Sequence, residues 1–127
     1  MTFGFDPSQG LIIVPVRLFG PAGDMIVRLA LDTGATSTLI NSQIMILLGY
    51  DPATSPHRIQ VTTGSGVELC PRVTLQRLEA LGKSINDFSV LSHTLPPTSQ
   101  VDGLFGLDFF RGFQISIDFR SGTITVT

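Results

Sequence analysis

The sequence predicts an all-β fold with one or two short helices, formed as a single domain over residues 1–127. Thirteen glycines and eight prolines separate short apolar runs along the chain, a spacing typical of strands joined by tight turns. Several of these runs alternate apolar and polar residues, as half-buried strands do. A chain of this length buries roughly two thirds of the surface that its unfolded form exposes, so one sizeable core is expected.

The first part of the chain predicts a hairpin that ends at an acidic residue. GLIIVPVRLF (10–19) is the first strand, and Pro15 indicates an edge position or a bulge because proline cannot donate to a sheet. GPAGD (20–24) is the turn, and MIVRLALD (25–32) is the returning strand. The hairpin therefore delivers Asp32 at its end.

Two segments favour helix over strand. NSQIMILLGY (41–50) follows a helical period, with Asn41 placed to cap the first turn and Gly49 placed to end the helix. LDFFRGF (107–113) is typical of one or two helical turns, and Asp108 is expected to cap them.

The rest of the chain predicts strands and hairpins. RIQVTTGSGVEL (58–69) alternates around a glycine-rich tip, which supplies the positive φ angles of a tight turn. PRVTLQRLEAL (71–81) continues as a strand, although its second half also suits a helical period. DFSVLSH (87–93) is a further strand, and QISIDFRSGTITV (114–126) is a final hairpin with Asp118 on its surface.

Composition argues against several classes of function. The net charge is only −2 and the basic residues are scattered singly, so we expect no nucleic-acid partner and no membrane partner. No apolar run approaches the roughly 18–20 residues that cross a bilayer, and the first residues lack the pattern of a secretion signal. The single cysteine excludes an internal disulfide and fits a reducing compartment. A cytoplasmic location is therefore expected.

The stretch LALDTGATSTLI (29–40) places a carboxylate inside an apolar, strand-like run. A buried carboxylate loses hydration unless hydrogen bonds or a function compensate for it. Thr33 can donate and accept hydrogen bonds, and Gly34 leaves room for a close backbone approach to Asp32. This sequence predicts a turn that presents the carboxylate at the floor of a groove, although a purely structural turn uses similar residues.

Three motifs resemble the retropepsin-like aspartic protease family. LALDTGATSTLI resembles its active-site strand and turn, and VDGLFGLDFF (101–110) resembles its second signature of two apolar residues and a glycine. VTTGSGVE (61–68) lies between them, where the family carries its flap hairpin. The similarity extends over nearly the whole chain and favours the cellular and bacterial branch, because DGLFGLDFF (102–110) and IDFRSGTITV (117–126) are typical of it. Thr36 and Ser37 also depart from the viral pattern, since many viral members have acidic residues there.

The resemblance implies a closed β-barrel, the acid protease fold, and specific roles for matching residues. Asp32 would be the catalytic aspartate, with Thr33 bonding across a pair of active-site loops and Gly34 contacting the carboxylate or the substrate backbone. The residues implied in substrate binding are Ala35, Thr63, Gly64, Ser65, Gly66, Leu104 and Phe105, of which Gly64, Ser65 and Gly66 would form the flap tip.

The resemblance also implies a homodimer. Aspartic protease chemistry uses two carboxyls that share one proton, yet only one of the eight aspartates lies in an Asp-Thr-Gly context. The chain therefore supplies half of a site, and a second copy would bring another Asp32 across a twofold axis. The expected activity is that of an aspartic endopeptidase on peptide or protein substrates, with no metal and no cofactor.

Other readings use the same residues differently. A retropepsin-like fold with weak or no turnover would serve as a dimerisation or peptide-binding module, and a β-barrel that binds a small apolar ligand would leave Asp32 idle. Cys70 is expected to be a small buried apolar residue, since it has no adjacent base in the sequence. His57 and His93 lack the spacing of metal ligands and are expected to be incidental.

Overall fold

A computed structural model describes residues 1–63 and 66–127 of the chain. It contains ten strands, two short α-helices and one 3₁₀ turn at Pro52–Thr54 within these residues. The strands are β1 (Thr2–Gly4), β2 (Ile13–Gly20), β3 (Gly23–Leu31), β4 (Leu39–Asn41), β5 (Arg58–Thr63), β6 (Gly66–Ala80), β7 (Lys83–His93), β8 (Gly103–Phe105), β9 (Ile115–Asp118) and β10 (Thr123–Val126); the helices are α1 (Ser42–Leu47) and α2 (Leu107–Phe110).

Six strands close into a barrel in the order β2-β3-β8-β4-β7-β6, and β5 is added to β6. The ring closes where β2 pairs with β6, with Leu18 opposite Leu78. Strand β6 makes this closure possible because it is fifteen residues long and pairs along its length with β5, β7 and β2. The expected all-β class and closed barrel are thus confirmed.

The core fills the barrel with side chains that point inward from its strands, and β2 shows the alternation most clearly. In β2, Val14, Val16 and Leu18 point inward and are almost completely buried, while the residues between them are more exposed. Phe105 and Phe109 add a tilted aromatic pair, with ring centroids 4.6 Å apart. Burial of such side chains is the main favourable term in folding.

A separate three-stranded sheet joins the two ends of the chain in the order β1-β10-β9. The predicted final hairpin forms β9 and β10, and its turn is held by Asp118, whose carboxylate accepts from the N–H groups of Arg120 and Ser121. Strand β1 pairs with β10 through Phe3 opposite Ile124. Strand β1 was not predictable from the sequence, because three residues are too few to show a period.

The remaining segments form the predicted elements, and the choice between strand and helix for the second half of 71–81 is settled. Residues 75–80 lie in β6 and not in a helix, because their pairing with β7 and β2 overrides the local helical period. Helix α1 is capped by the Asn41 side chain, which accepts from the N–H of Gln43. Gly49, at φ 94°, follows the end of α1 in the conformation that favours glycine. Neither helix in the described part of the chain has the length or apolarity to cross a membrane.

Candidate active site

Asp32 follows the last residue of β3, where neighbouring strands hold the backbone on both sides. The N–H of Asp32 donates to the carbonyl of Phe105 at 2.9 Å, and the N–H of Leu31 donates to the carbonyl of Ile12 at 2.9 Å. Strands β3 and β8 run parallel, with Leu31 opposite Phe105. The strand end is therefore fixed before the chain turns.

The turn after Asp32 holds its carboxylate through the backbone. The N–H of Gly34 donates to Oδ1 of Asp32 at 2.9 Å, and the N–H of Ala35 donates to the Asp32 carbonyl at 3.2 Å. A Cβ at position 34 would lie 3.2 Å from that Oδ1, which is a crowded contact. Glycine thus permits the close approach, and one carboxylate oxygen is bound while Asp32 remains half-buried.

A second loop, around Gly106, packs directly on the Asp-Thr-Gly turn. The N–H of Leu107 donates to the carbonyl of Ala35 at 2.8 Å. A Cβ at position 106 would lie 2.7 Å from the carbonyl carbon of Ser37 and 2.9 Å from the carbonyl oxygen of Ala35. No side chain fits there, so the two loops touch backbone to backbone.

Thr38 and Asp108 connect the Asp-Thr-Gly turn and the Gly106 loop through side-chain hydrogen bonds. The Thr38 hydroxyl donates to Oδ1 of Asp108 at 2.7 Å and accepts from the N–H of Gly106 at 3.1 Å. The Thr38 N–H donates to the other carboxylate oxygen of Asp108 at 2.9 Å. Thr38 is fully buried, and both its N–H and its hydroxyl have partners within the protein.

The expected role of Asp108 as a helix cap is thereby corrected. The residue before α2 is Gly106, which makes no side-chain cap, and Asp108 lies in the first turn, where it accepts from the N–H of Phe109 at 3.0 Å. Its bonds to Thr38 join segments that are 70 positions apart in the chain. The sequence carried no local signal for Thr38, because both partners come from the second loop.

A cleft of about 360 Å³ lies between the turn and strand β5. Apolar and uncharged polar side chains form most of its walls, and Asp32 carries the only carboxylate among the described residues that line it. The lining residues are Asp32, Gly34, Ala35, Thr36, Ser37, Leu39, Ile59, Gln60, Val61, Thr62, Leu91 and Leu104. The cleft therefore presents one acid on an otherwise uncharged surface.

The structure brings together only some of the residues assigned to substrate binding. Ala35 and Leu104 line the cleft. Phe105 does not: its side chain is completely buried against Phe109, so the expectation that it binds substrate is corrected, and its carbonyl instead anchors Asp32. Thr33 is exposed, and its hydroxyl has no hydrogen bond to another described residue.

The flap positions are described in part. Thr63 and Gly66 lie opposite each other in the backbone register of β5 and β6. Gly64 and Ser65, which were assigned to the flap tip, lie outside the described residues. The antiparallel hairpin itself is present on both sides of them, from Arg58 opposite Pro71 onward.

Comparison with known proteins identifies the family. Residues 22–112, which include both glycine loops and the hairpin, match the family described as "gag-polyprotein putative aspartyl protease". The match covers more than half of the chain. The chain belongs to the retropepsin-like aspartic protease family.

Solved structures of retropepsin-like proteases share this fold. A retropepsin-like aspartic protease from Rickettsia conorii is 16% identical, with a TM-score of 0.71 over 99% of this chain and 88% of its own. EIAV protease, solved with the inhibitor HBY-793, is also 16% identical, with a TM-score of 0.60 over 82% of this chain and 88% of its own. No curated protein sequence matches the chain. At this identity the structural matches show the retropepsin-like fold, and the family match adds its aspartic protease character.

Proposed function

We propose that the chain is an aspartic endopeptidase that acts as a homodimer, with one Asp32 from each subunit. The observation that carries this proposal is the single carboxylate in the cleft. Asp32 is held by the Gly34 N–H on one oxygen, in a cleft whose other described lining residues carry no acid. Because peptide hydrolysis by this chemistry uses two carboxyls, a second subunit is needed to supply the other.

The proposed mechanism divides two tasks between the two Asp32 carboxyls. One is ionised and takes a proton from the attacking water, while the other is protonated and donates to the carbonyl oxygen of the scissile bond. Two carboxyls about 3 Å apart share one proton, and their titration belongs to the pair. The Gly34 N–H orients the Asp32 carboxyl because it donates to one of its oxygens.

The walls of the cleft support an extended peptide as the substrate. Strand β5 contributes four consecutive residues, 59–62, along one side, so a peptide lies beside a backbone that can bond to it. Leu39, Leu91 and Leu104 contribute apolar surface on the other side, close to Asp32. The substrate is therefore a peptide or protein segment in extended conformation.

Mixing wild-type and Asp32→Asn subunits tests the shared site directly. The two proteins are allowed to exchange subunits at equal amounts and constant total concentration, and cleavage of a peptide library is measured. If each active site needs two aspartates, only dimers of two wild-type chains cleave, and the activity falls to about one quarter. Independent active chains would retain about one half.

Asp87→Asn is the matched control, because Asp87 is exposed and its φ of 53° is one that asparagine tolerates. Its mixture with wild type should keep full activity. Asp32→Asn homodimers that cleave as fast as wild type would contradict the catalytic role. Binding of peptides by the wild-type protein without any product would instead identify a peptide-binding module.

A further inference from the structure

His93 joins Glu68 and Cys70 in a cluster outside the cleft. Its Nε2 lies 3.2 Å from a carboxylate oxygen of Glu68, and its Nδ1 lies 3.6 Å from Sγ of Cys70. Glu68 and Cys70 are two positions apart on β6, so their side chains lie on the same face of that strand. The expectation that His93 is incidental is therefore corrected: both of its ring nitrogens are engaged, which no local pattern in the sequence indicated.

The cluster lies where the backbone no longer ties β6 to the barrel. The ladder between β6 and β7 runs from Ala80 opposite Lys83 to Arg72 opposite Leu91. Residues 66–71 pair with β5 instead. We call residues 58–63 and 66–71 the hairpin arm. His93, the last residue of β7, thus contacts the arm through its side chain beyond the end of the ladder.

Cys70 connects the cluster to the cleft. It is almost completely buried and packs in a small apolar cluster with Leu39 and Leu91, which also line the cleft. Val61 of β5 packs on the same cluster from the arm and lines the cleft as well. A change in how tightly His93 holds Cys70 therefore acts on the wall of the cleft.

The charge on His93 determines how strongly the arm is held. A neutral imidazole has one N–H, so Nε2–H donates to Glu68 while Nδ1 accepts a hydrogen bond from the Cys70 thiol. Burial, and the Glu68 carboxylate beside it, raise the pKa of the Cys70 thiol, which keeps that proton in place. A protonated imidazole donates from both nitrogens and adds a charge–charge attraction to Glu68. The contact between His93 and Glu68 is therefore stronger when the ring is protonated.

Charged groups of both signs lie near the ring. Asp51 lines the same surface groove as His93. Arg58 donates to the carbonyl of Ala53, another lining residue, and brings a positive charge to that groove. The Glu68 carboxylate is the charged group in direct contact with the ring.

We propose that Glu68, His93 and Cys70 form a pH-dependent latch that holds the hairpin arm against the barrel and tightens when His93 is protonated. The three residues are positioning residues, since they act on the cleft through the arm. The proposal rests on the proposed function for its effect on peptide binding, but the latch itself is a property of the free protein.

Hydrogen exchange of the full-length protein tests the latch without any substrate. Protection factors for amides of the arm are measured from about pH 7.5 to about pH 5.5, the range in which an imidazole changes charge. We expect protection to rise about two- to fivefold on acidification, the effect of a partly exposed ion pair. His93→Gln keeps a polar side chain that does not titrate, and should remove this pH dependence; Glu68→Gln should reduce it.

His57→Gln is the matched control, because the chain has only two histidines and His57 is exposed at the base of the arm. It should behave as wild type. Two outcomes would overturn the latch. One is that the arm of His93→Gln keeps the wild-type pH dependence of protection, and the other is that protection of the wild-type arm does not depend on pH.

Peptide cleavage provides a second readout. His93→Gln should raise KM in acid more than it lowers kcat, because wall contacts bind the substrate and the transition state alike. The two proposals can fail separately. Exchange that responds as expected with no cleavage supports the latch and contradicts the peptidase; cleavage with an unchanged His93→Gln exchange profile contradicts the latch alone.

Discussion

The floor and the wall of the cleft are held in opposite ways. The floor consists of the Asp-Thr-Gly turn and the Gly106 loop, which touch backbone to backbone and share the buried Thr38 hydroxyl. The wall is the hairpin arm, where Val67 and Leu69 are about 60% exposed (62% and 60%) and a half-exposed histidine makes the polar contact to the barrel. The floor holds a carboxylate through backbone contacts, while the wall leaves much of its apolar surface exposed.

This difference fits what each part is proposed to do. Catalysis needs a carboxylate held in a productive geometry, and buried hydrogen bonds with no alternative partners supply that. An arm that covers peptides needs a lower cost of opening, and segments with few buried contacts open locally. From their difference in burial we therefore expect the floor to open less readily than the wall.

Gly106→Ala is expected to have the largest effect, because it breaks the floor. The new methyl group would collide with backbone atoms of Ser37 and Ala35, which cannot rotate away as a side chain can. We expect a loss of about 3 kcal/mol or more in the free energy of unfolding. We also expect a fall of about 100-fold in peptidase activity, since the turn that carries Asp32 must move. Urea unfolding and peptide cleavage measure the two effects.

Gly10→Ala is the control for this substitution. A Cβ there meets no atom within 4 Å, and the backbone is not in the region that favours glycine. It should leave both stability and activity close to wild type. A Gly106→Ala protein as stable as Gly10→Ala would show that the two loops are not in close contact.

Thr38→Val should have the next largest effect, because it keeps the shape of the side chain and removes only the hydroxyl. The N–H of Gly106 and one oxygen of Asp108 would then lose a buried partner. We expect a loss of about 2 kcal/mol in the free energy of unfolding and a fall of about tenfold in kcat. Thr38→Ser, which keeps the hydroxyl, should recover most of both; a Thr38→Val protein equal to Thr38→Ser would contradict the network.

The fold was predictable where the physics is local. Glycine-rich turns and alternating runs predicted the hairpins, and Asn41 and Gly49 marked the ends of α1 because capping depends on neighbours in the chain. The closure of the barrel by β6 was not predictable from the residues alone. It depends on pairing between strands that are about 60 positions apart, as in Leu18 opposite Leu78.

The candidate site also contains residues that were predictable from local sequence and residues that were not. Asp32 and Gly34 were predictable because the Asp-Thr-Gly turn is one short segment. Thr38 and the His93 cluster were missed, and Asp108 was assigned to a cap, because their partners come from segments distant in the chain. Phe105 was misassigned because an apolar residue in a signature segment points into the core or into the groove according to the strand register, which the sequence alone does not fix.

The smallest predicted effect concerns Cys70, the buried thiol of the arm. Burial and the Glu68 carboxylate raise its pKa above the ordinary value of 9.0. The folded state therefore favours the neutral thiol. This contribution to stability is fully present below pH 9 and is lost as the pH rises through the raised folded pKa. Between about pH 8 and about pH 10.5, the thermal midpoint of wild type should fall by a few degrees more than that of Cys70→Ala.

The comparison with Cys70→Ala is needed because burial also raises the pKa of Tyr50, which lowers stability in alkali in the same direction. Tyr50 is present in both proteins, so subtracting the two pH profiles isolates the thiol. The absolute midpoint of Cys70→Ala falls through its cavity at every pH and carries no information here. Parallel profiles would mean that the thiol meets water in the folded state, and the arm would then be less closely packed on the barrel than its contacts with Leu39 and Leu91 require.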